Sequence, residues 1–453
     1  MAYRSLAEFL EDLRHAGELV RIDQEVDPAL ELAEMAAREA TPGGPALLFG
    51  AIKGHDLPVL CNLLGSDGRI CRALGAAALD EVTKRIARLF DTTASEGWFE
   101  RLKGGAQPAA LGSFTPRKVK SAACQQIVRL GSDVDLGELP LLQVAAAEAI
   151  PAITGATVFS AEPDSHQPVA GRIDLQRLDR TRLAVCWAAH DEHARLVGEY
   201  RRREQKMPLA VVLGGDPAFL LAAAAPLPSG SDVCAVAGLL REKPLDVVGG
   251  RSVDLQVPAE AEIVLEGFLD PTQPPVMAAP LCGPTGHLTH PRPAPVMHVT
   301  TVTHRANPIY AVMLPGHPPH EAATVARAMQ RVFLPLARLA MPELVDYDLP
   351  QFAAARLWAA VSIRKTYAGQ GRRAAHAAWG LPATRFAKML VMVDEDVDVH
   401  DHQQVLAAVT VNVRPGRDVL IERGPADPFD PASPSDGLGE QMALDATRKG
   451  PEE

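Results

Sequence analysis

A chain of 453 residues exceeds what one hydrophobic core usually fills, so two or three domains are expected. Its 47% hydrophobic and 22% charged residues match ordinary globular usage, which excludes a disordered, collagenous or coiled-coil protein. The net charge of -11, with 45 basic against 56 acidic residues and no long Lys/Arg run, leaves a nucleic-acid partner nothing to grip.

In chain order, Ser5 with Glu8 forms a capping box, and Leu6, Phe9, Leu10 and Leu13 recur at helical spacing, so the chain opens with an amphipathic helix. Acids within this stretch do not suit a signal peptide. The alternation Gly17–Asp23 predicts a strand, and Pro28 to Ala40 a second helix. Gly, Pro, Ala and Lys collect between Gly104 and Ser121, as in a linker. Strand-like pieces then dominate: Gln126–Leu130, Ala156–Ser160, Ile173–Leu178, Leu183–Trp187, Leu209–Leu213, Ser252–Val257, Glu262–Leu269 and Val296–Thr303. Short strands parted by turn residues predict a barrel or sandwich, interrupted by one helix that Asp216-Pro217 opens and Pro226 closes.

After Asn307 the chain predicts a long helix over Glu321–Leu339, kinked at Pro335, a strand over Leu357–Ile363 and a helix over Gln370–Gly380. Next come a buried strand Met389–Val393, an acidic turn Asp394–Asp401, a crossover helix His402–Val409 and a strand Asp418–Ile421, together a βαβ module. Glu440–Arg448 is expected to close the chain as a short helix on an arm. The six cysteines are scattered without C-x-x-C pairs, which suits reduced thiols. No apolar stretch reaches the ~20 residues of a membrane span. A cytoplasmic protein without a membrane partner is expected.

No Walker loop, dinucleotide fingerprint, H-E-x-x-H or nucleophile elbow is present, so chemistry must be sought in clusters. Gly214-Gly215 at a strand-to-helix turn could face a phosphate, although an ordinary capped helix explains it better. His190-Asp-Glu-His193 offers imidazoles and carboxylates for a cation or phosphate, or is a solvated loop. Cys282-Gly-Pro-Thr-Gly-His287-Leu-Thr-His290 sets a thiol and two imidazoles among turn residues between strands, where a rigid scaffold often carries catalytic groups. Its spacing matches no common zinc pattern. Asp394–Asp398 suits a solvated turn better than a cation site.

Phe9-Leu-Glu-Asp-Leu13 with Gly17–Arg21, Leu175–Asp179, Met207–Pro217, Ala222–Pro228, Val257–Pro271, Thr300–Tyr310, Ser362–Lys365, Val393–Val399 and Asp445–Thr447 together resemble the UbiD family of carboxy-lyases, end to end. The resemblance implies a mixed α/β multidomain fold: an N-terminal α/β region over 1–120, a central split β-barrel for the flavin over 121–305, and a C-terminal α/β oligomerisation domain with an arm over 306–453. It further implies a homodimer or larger homo-oligomer and a decarboxylase of an aromatic or α,β-unsaturated small-molecule acid. The cofactor would be prenylated FMN, made by a flavin prenyltransferase, or plain FMN, held with a divalent metal such as Mn and with potassium.

Residue by residue, the family's Asn-x-Gly-x-x-Arg falls on Val169–Asp174, so that Val stands for Asn and Asp174 for the catalytic Arg. Its two acids fall within Ala278–Gly283, where neither is kept, and a metal-binding Glu falls on Val233. Positions implied for the cofactor are Thr154, His190, Ala225, Leu227 and Lys365, with His190 the remaining metal ligand. Side chains two apart on a strand share a face, so Arg172 could project into the pocket beside Asp174, displaced by about 7 Å, although a plain surface ion pair explains the two residues slightly better. The expectation divides between an enzyme whose site is rebuilt from Arg172, Asp174, Cys282, His287 and His290, and a non-catalytic partner subunit, a binding protein or a lyase of different chemistry. In the enzyme, His287 or His290 is the expected acid–base group and Asp174 the runner-up.

Overall fold

The apolar face of the opening helix, Leu6–His15, is buried through Leu6, Phe9, Leu10 and Leu13, and Ser5 caps it by accepting the Glu8 N–H at 3.3 Å. The computed structural model describes residues 3–39, 43–90, 113–434, 437–451 and 453; the first half of the expected linker, 104–112, lies outside them. The helix leads into a four-stranded sheet ordered Leu19–Val26, Ala46–Ile52, Val59–Cys61 and Tyr310–Ala311. The last of these returns from far along the chain, so a segment counted above with the C-terminal region completes the N-terminal sheet.

A curled, nine-stranded antiparallel sheet forms the centre. Its strand Met207–Leu213 shows how the sequence builds two cores at once: Leu209, Val211 and Leu213 enter one apolar cluster, while Ala210 and Val212 enter another on the opposite face. That is the period of two expected of a strand buried on both sides.

Two further helices appear where one was predicted. Glu192–Arg202 carries only a short apolar stripe, with Leu196 and Tyr200 buried. Val233–Leu240 is buried at every position, so it has no amphipathic period to betray it. Asp232 starts it by accepting from Cys234 N–H at 2.8 Å.

The C-terminal sheet is ordered Leu344–Asp348, Trp358–Ile363, Met389–Asp394, Leu438–Asp445 and Val419–Pro425. This corrects two expectations. The closing segment is a strand, and it lies between the two strands of the expected βαβ module, parallel to Met389–Asp394 and antiparallel to Val419–Pro425. Glu440, Gln441, Met442, Ala443 and Leu444 favour helix in isolation, but Ala443 and Asp445 are buried on one face, and pairing on both edges overrides propensity. The long helix divides into Glu321–Val332 and Leu334–Ala340, with Pro335 in the first turn of the second piece, where its missing N–H costs nothing. No helix among the described residues is long and apolar enough to cross a membrane.

Candidate active site

At the edge of the central sheet, strand Pro168–Arg172 pairs with Thr157–Ala161, setting Arg172 opposite Thr157. The chain then passes through Ile173 and Asp174 into strand Leu175–Arg177. Arg172 and Asp174 both line one cavity of about 390 Å³, closed on other sides by Ala223–Leu227, by Met313–Pro315 and by residues 382–386 and 427–429 of the C-terminal region. Gly155, at a φ of 79°, allows the Met313 segment to come close: a Cβ there would lie 2.9 Å from that of Met313.

The charges on this wall are poorly matched. Arg172 points Nη2 at the sulfur of Met313, 2.8 Å away, and its buried Nε has no partner. Burial holds its pKa below the usual arginine value, with Asp174 opposing the shift. Burial pushes the Asp174 carboxyl up, against the pull of Arg172, Arg292 and Arg356, and the hydrogen bond given to it is the long 3.4 Å contact from Gly155 N–H. Arg356 is paired with Asp427 and lies 5.0 Å over the Phe429 ring. Arg292 donates to the Cys186 carbonyl at 2.7 Å. The His190 ring packs 4.1 Å from Phe386, whose ring also carries Arg385 at 4.7 Å. The cavity thus gathers four guanidinium groups, and one of them has a carboxylate partner on the wall.

Thr154, Arg172, Asp174, His190, Ala225, Leu227 and Cys282 all come together on this wall. Three expected residues do not. His287 and His290 are exposed and lie outside it; His287 Nδ1 sits 3.0 Å from the Thr285 carbonyl and its ring meets the edge of His317. The hairpin that carries them turns their side chains to solvent while burying Leu281 and Thr289. Lys365 is ion-paired with Glu453 at 2.6 Å and donates to the Arg448 carbonyl, away from the cavity.

Other clusters also resolve. Cys282 is on the wall, but burial pushes its thiol up to about 11, so it stays protonated at neutral pH. His193 is turned inward from the helix Glu192–Arg202, stacked on Trp187, and burial lowers it to about 4; it does not join His190. Asp216 caps its helix and pairs with Arg241, which leaves Gly214-Gly215 a plain turn. Asp394 and Asp396 are bound by Arg448, and Glu395 by Arg364. Arg292, Arg356, Arg385, Asp427 and Met313 were not singled out from sequence, because they converge from five separate segments with no local pattern.

Profiles of the three domains of 3-octaprenyl-4-hydroxybenzoate carboxy-lyase match in chain order: the N-terminal domain over residues 10–91, the Rift-related domain over 117–318 and the C-terminal domain over 323–446. The chain belongs to the UbiD family. Uncharacterized proteins from Archaeoglobus fulgidus and Aquifex aeolicus are each 38% identical over 453 residues, covering 99% and 100% of this chain and 92% and 93% of theirs. Among solved structures, vanillic acid decarboxylase of Sedimentibacter hydroxybenzoicus in its closed form is 26% identical, with a TM-score of 0.88 over 100% of this chain and 94% of that one. The open form of the same enzyme gives 0.78. The UbiD-class enzyme HmfF of Pelotomaculum thermopropionicum, solved with FMN, is 28% identical with a TM-score of 0.79, covering 98% of this chain and 94% of that one.

Proposed function

We propose that this UbiD protein removes carbon dioxide from an aromatic or α,β-unsaturated acid, with Arg172 orienting the carboxylate and Asp174 returning the proton. The observation that carries the reading is the pair itself: a guanidinium with unfilled donors and a carboxyl raised by burial, both on the wall of one cavity. A guanidinium recognises a carboxylate through paired N–H donors. A carboxyl raised by burial can hold its proton near neutral pH and give it up at the reacting carbon. The reaction balances as loss of carbon dioxide and gain of one proton, which leaves Asp174 ionised beside Arg172.

A flavin fits this cavity. Ala223, Ala224, Met313, Pro315 and Phe386 offer apolar surface for a ring system, while Arg385, Arg356 and His190 offer cations and a donor for its phosphate. When bound, prenylated FMN would supply the electron sink for the carbanion that departure of carbon dioxide leaves. A metal does not fit. Among the described residues no three His, Cys, Asp or Glu could hold one, and Val169 and Val233, which stand where two ligands are implied, are buried in apolar clusters. Arginines take over the neutralising role, so flavin binding is expected to survive a chelator.

Supply of the cofactor by a flavin prenyltransferase and assembly as a homo-oligomer belong to the same reading. A non-catalytic homologue finds support in Ala278, packed in an apolar cluster where one of the family's acids falls, and in buried Gly283, which stands where the other falls. The unfilled donors of Arg172 favour the enzyme. The test is turnover by the flavin-loaded protein on a panel of aromatic and α,β-unsaturated acids, compared with Asp174→Asn.

A further inference from the structure

Of the four guanidinium groups on the cavity wall, Arg356 and Arg385 come from the C-terminal region, where Asp427 pairs with the first and the Phe386 ring carries the second. Arg172 and Arg292 come from the central sheet, and both are tied to Asp174. Arg172 stands two residues before it. Arg292 reaches it across the sheet: its Nη2 donates to the Cys186 carbonyl at 2.7 Å, and the Cys186 N–H donates to the Asp174 carbonyl at 2.9 Å. All four of these residues line the one cavity.

Arg292 lacks a counter-ion. In the hairpin that pairs Val276–Ala278 with Arg292–Ala294, the residue directly opposite it is Ala278, where one of the family's acids falls. Opposite residues of an antiparallel pair share a face with Cβ atoms about 5 Å apart, so an acid there would meet the guanidinium. A methyl group meets it instead. The Cys186 thiol supplies no charge either, because burial pushes it up to about 11. Among the described residues Arg292 forms no ion pair, and the Cys186 carbonyl occupies one of its five N–H donors.

A monocarboxylate leaves this wall with an excess positive charge. Asp174 must hold its proton in order to give it to carbon, so with substrate bound it neutralises neither arginine. One carboxylate then satisfies Arg172, and Arg292 still faces the cavity unpaired.

We infer that Arg292 binds a second carboxylate, so that the substrate is a dicarboxylic acid which loses one group at Arg172 and keeps the other at Arg292. This rests on the reading of Arg172 and Asp174 given above. A guanidinium takes a carboxylate through paired, charge-assisted N–H donors, which fixes orientation as well as adding affinity. The retained group is untouched by the reaction and anchors the molecule while carbon dioxide leaves and one proton arrives. The product has a single carboxylate, which cannot fill Arg172 and Arg292 together, so one carbon dioxide is released for each molecule of acid.

The test is isothermal titration calorimetry of the full chain, with FMN in excess, using benzoate, 4-hydroxybenzoate, benzene-1,3-dicarboxylate and benzene-1,4-dicarboxylate as probes. At least one dicarboxylate should bind about 10-fold or more tighter than benzoate, a ratio that needs no variant to fold. The ratio should fall to about one in Arg292→Gln and be partly kept in Arg292→Lys, whereas Arg172→Met should weaken benzoate and dicarboxylates alike. Dicarboxylates that bind no tighter than benzoate or 4-hydroxybenzoate, or a preference that survives Arg292→Gln, overturn the inference. A preference lost in Arg292→Gln, in a protein loaded with prenylated FMN that releases no carbon dioxide from any bound acid, overturns the decarboxylase reading and leaves the Arg292 site standing.

Discussion

Nη2 of Arg172 rests 2.8 Å from the thioether sulfur of Met313, a neutral and weak acceptor, while Nε of the same guanidinium has no partner. A charge held this way destabilises the ligand-free fold and is ready for an anion. Arg172→Met is therefore expected to raise the unfolding free energy of the ligand-free protein by about 1–3 kcal/mol and to abolish thermal stabilisation by carboxylic acids. Urea unfolding and ligand-dependent melting check both halves.

Asp174 adds a pH signature. Burial raises its carboxyl above the unfolded value, so the folded state binds the proton more tightly. The stability it contributes is present at low pH and is lost as pH rises from the unfolded pKa through the folded one. Asp174→Asn should match the wild type near pH 4 and become progressively more stable than it toward about pH 8, by urea unfolding at a series of pH values.

Arg356 is tied to Asp427, whose side chain is fully buried, and also lies over Phe429. Removing one partner strands the other charge. Asp427→Ala should cost about 3–5 kcal/mol of stability, whereas replacing both with apolar residues should cost less than the single change. A double-mutant cycle by denaturant unfolding measures the difference.

His400 lies between Asp346, at 3.3 Å, and Asp348, at 3.4 Å, and hydrogen bonds to these carboxylates raise it to about 10. Its contribution is complete below the unfolded histidine pKa and is lost as pH rises through about 10. His400→Gln should therefore be less stable than the wild type at pH 7, with the gap closing by about pH 10 to 11 in equilibrium unfolding.

Much of this fold was legible in residue patterning. Short apolar runs parted by turn residues marked the central strands, because a strand buried on both faces reads as a near-continuous apolar stretch, and the capped helix at Ser5 announces itself locally. What escaped had no local signal. The strand Pro168–Arg172 is an edge strand with Pro and Gly in it, and Val233–Leu240 is apolar all round. Within the site, the family resemblance singled out the segment of Arg172 and Asp174 and strand spacing allowed the two to share a face, with a surface ion pair as the other reading; both line the cavity. Proximity in sequence to Cys282 misled the expectation for His287 and His290, since a hairpin buries alternate residues and exposes the others. The arginines at 292, 356 and 385 come together only through tertiary packing, which no spacing rule can supply.

The central claim is that Asp174, beside Arg172, delivers the proton that replaces carbon dioxide. It is tested most directly by running the protein loaded with prenylated FMN on a panel of aromatic and α,β-unsaturated acids in heavy water. The account predicts a decarboxylated product carrying deuterium at the carbon that bore the carboxyl group, with the rate reduced about 10²–10⁴-fold in Asp174→Asn and unchanged in His287→Ala and His290→Ala. Wild-type turnover by Asp174→Asn, or its loss in either histidine variant, would contradict it.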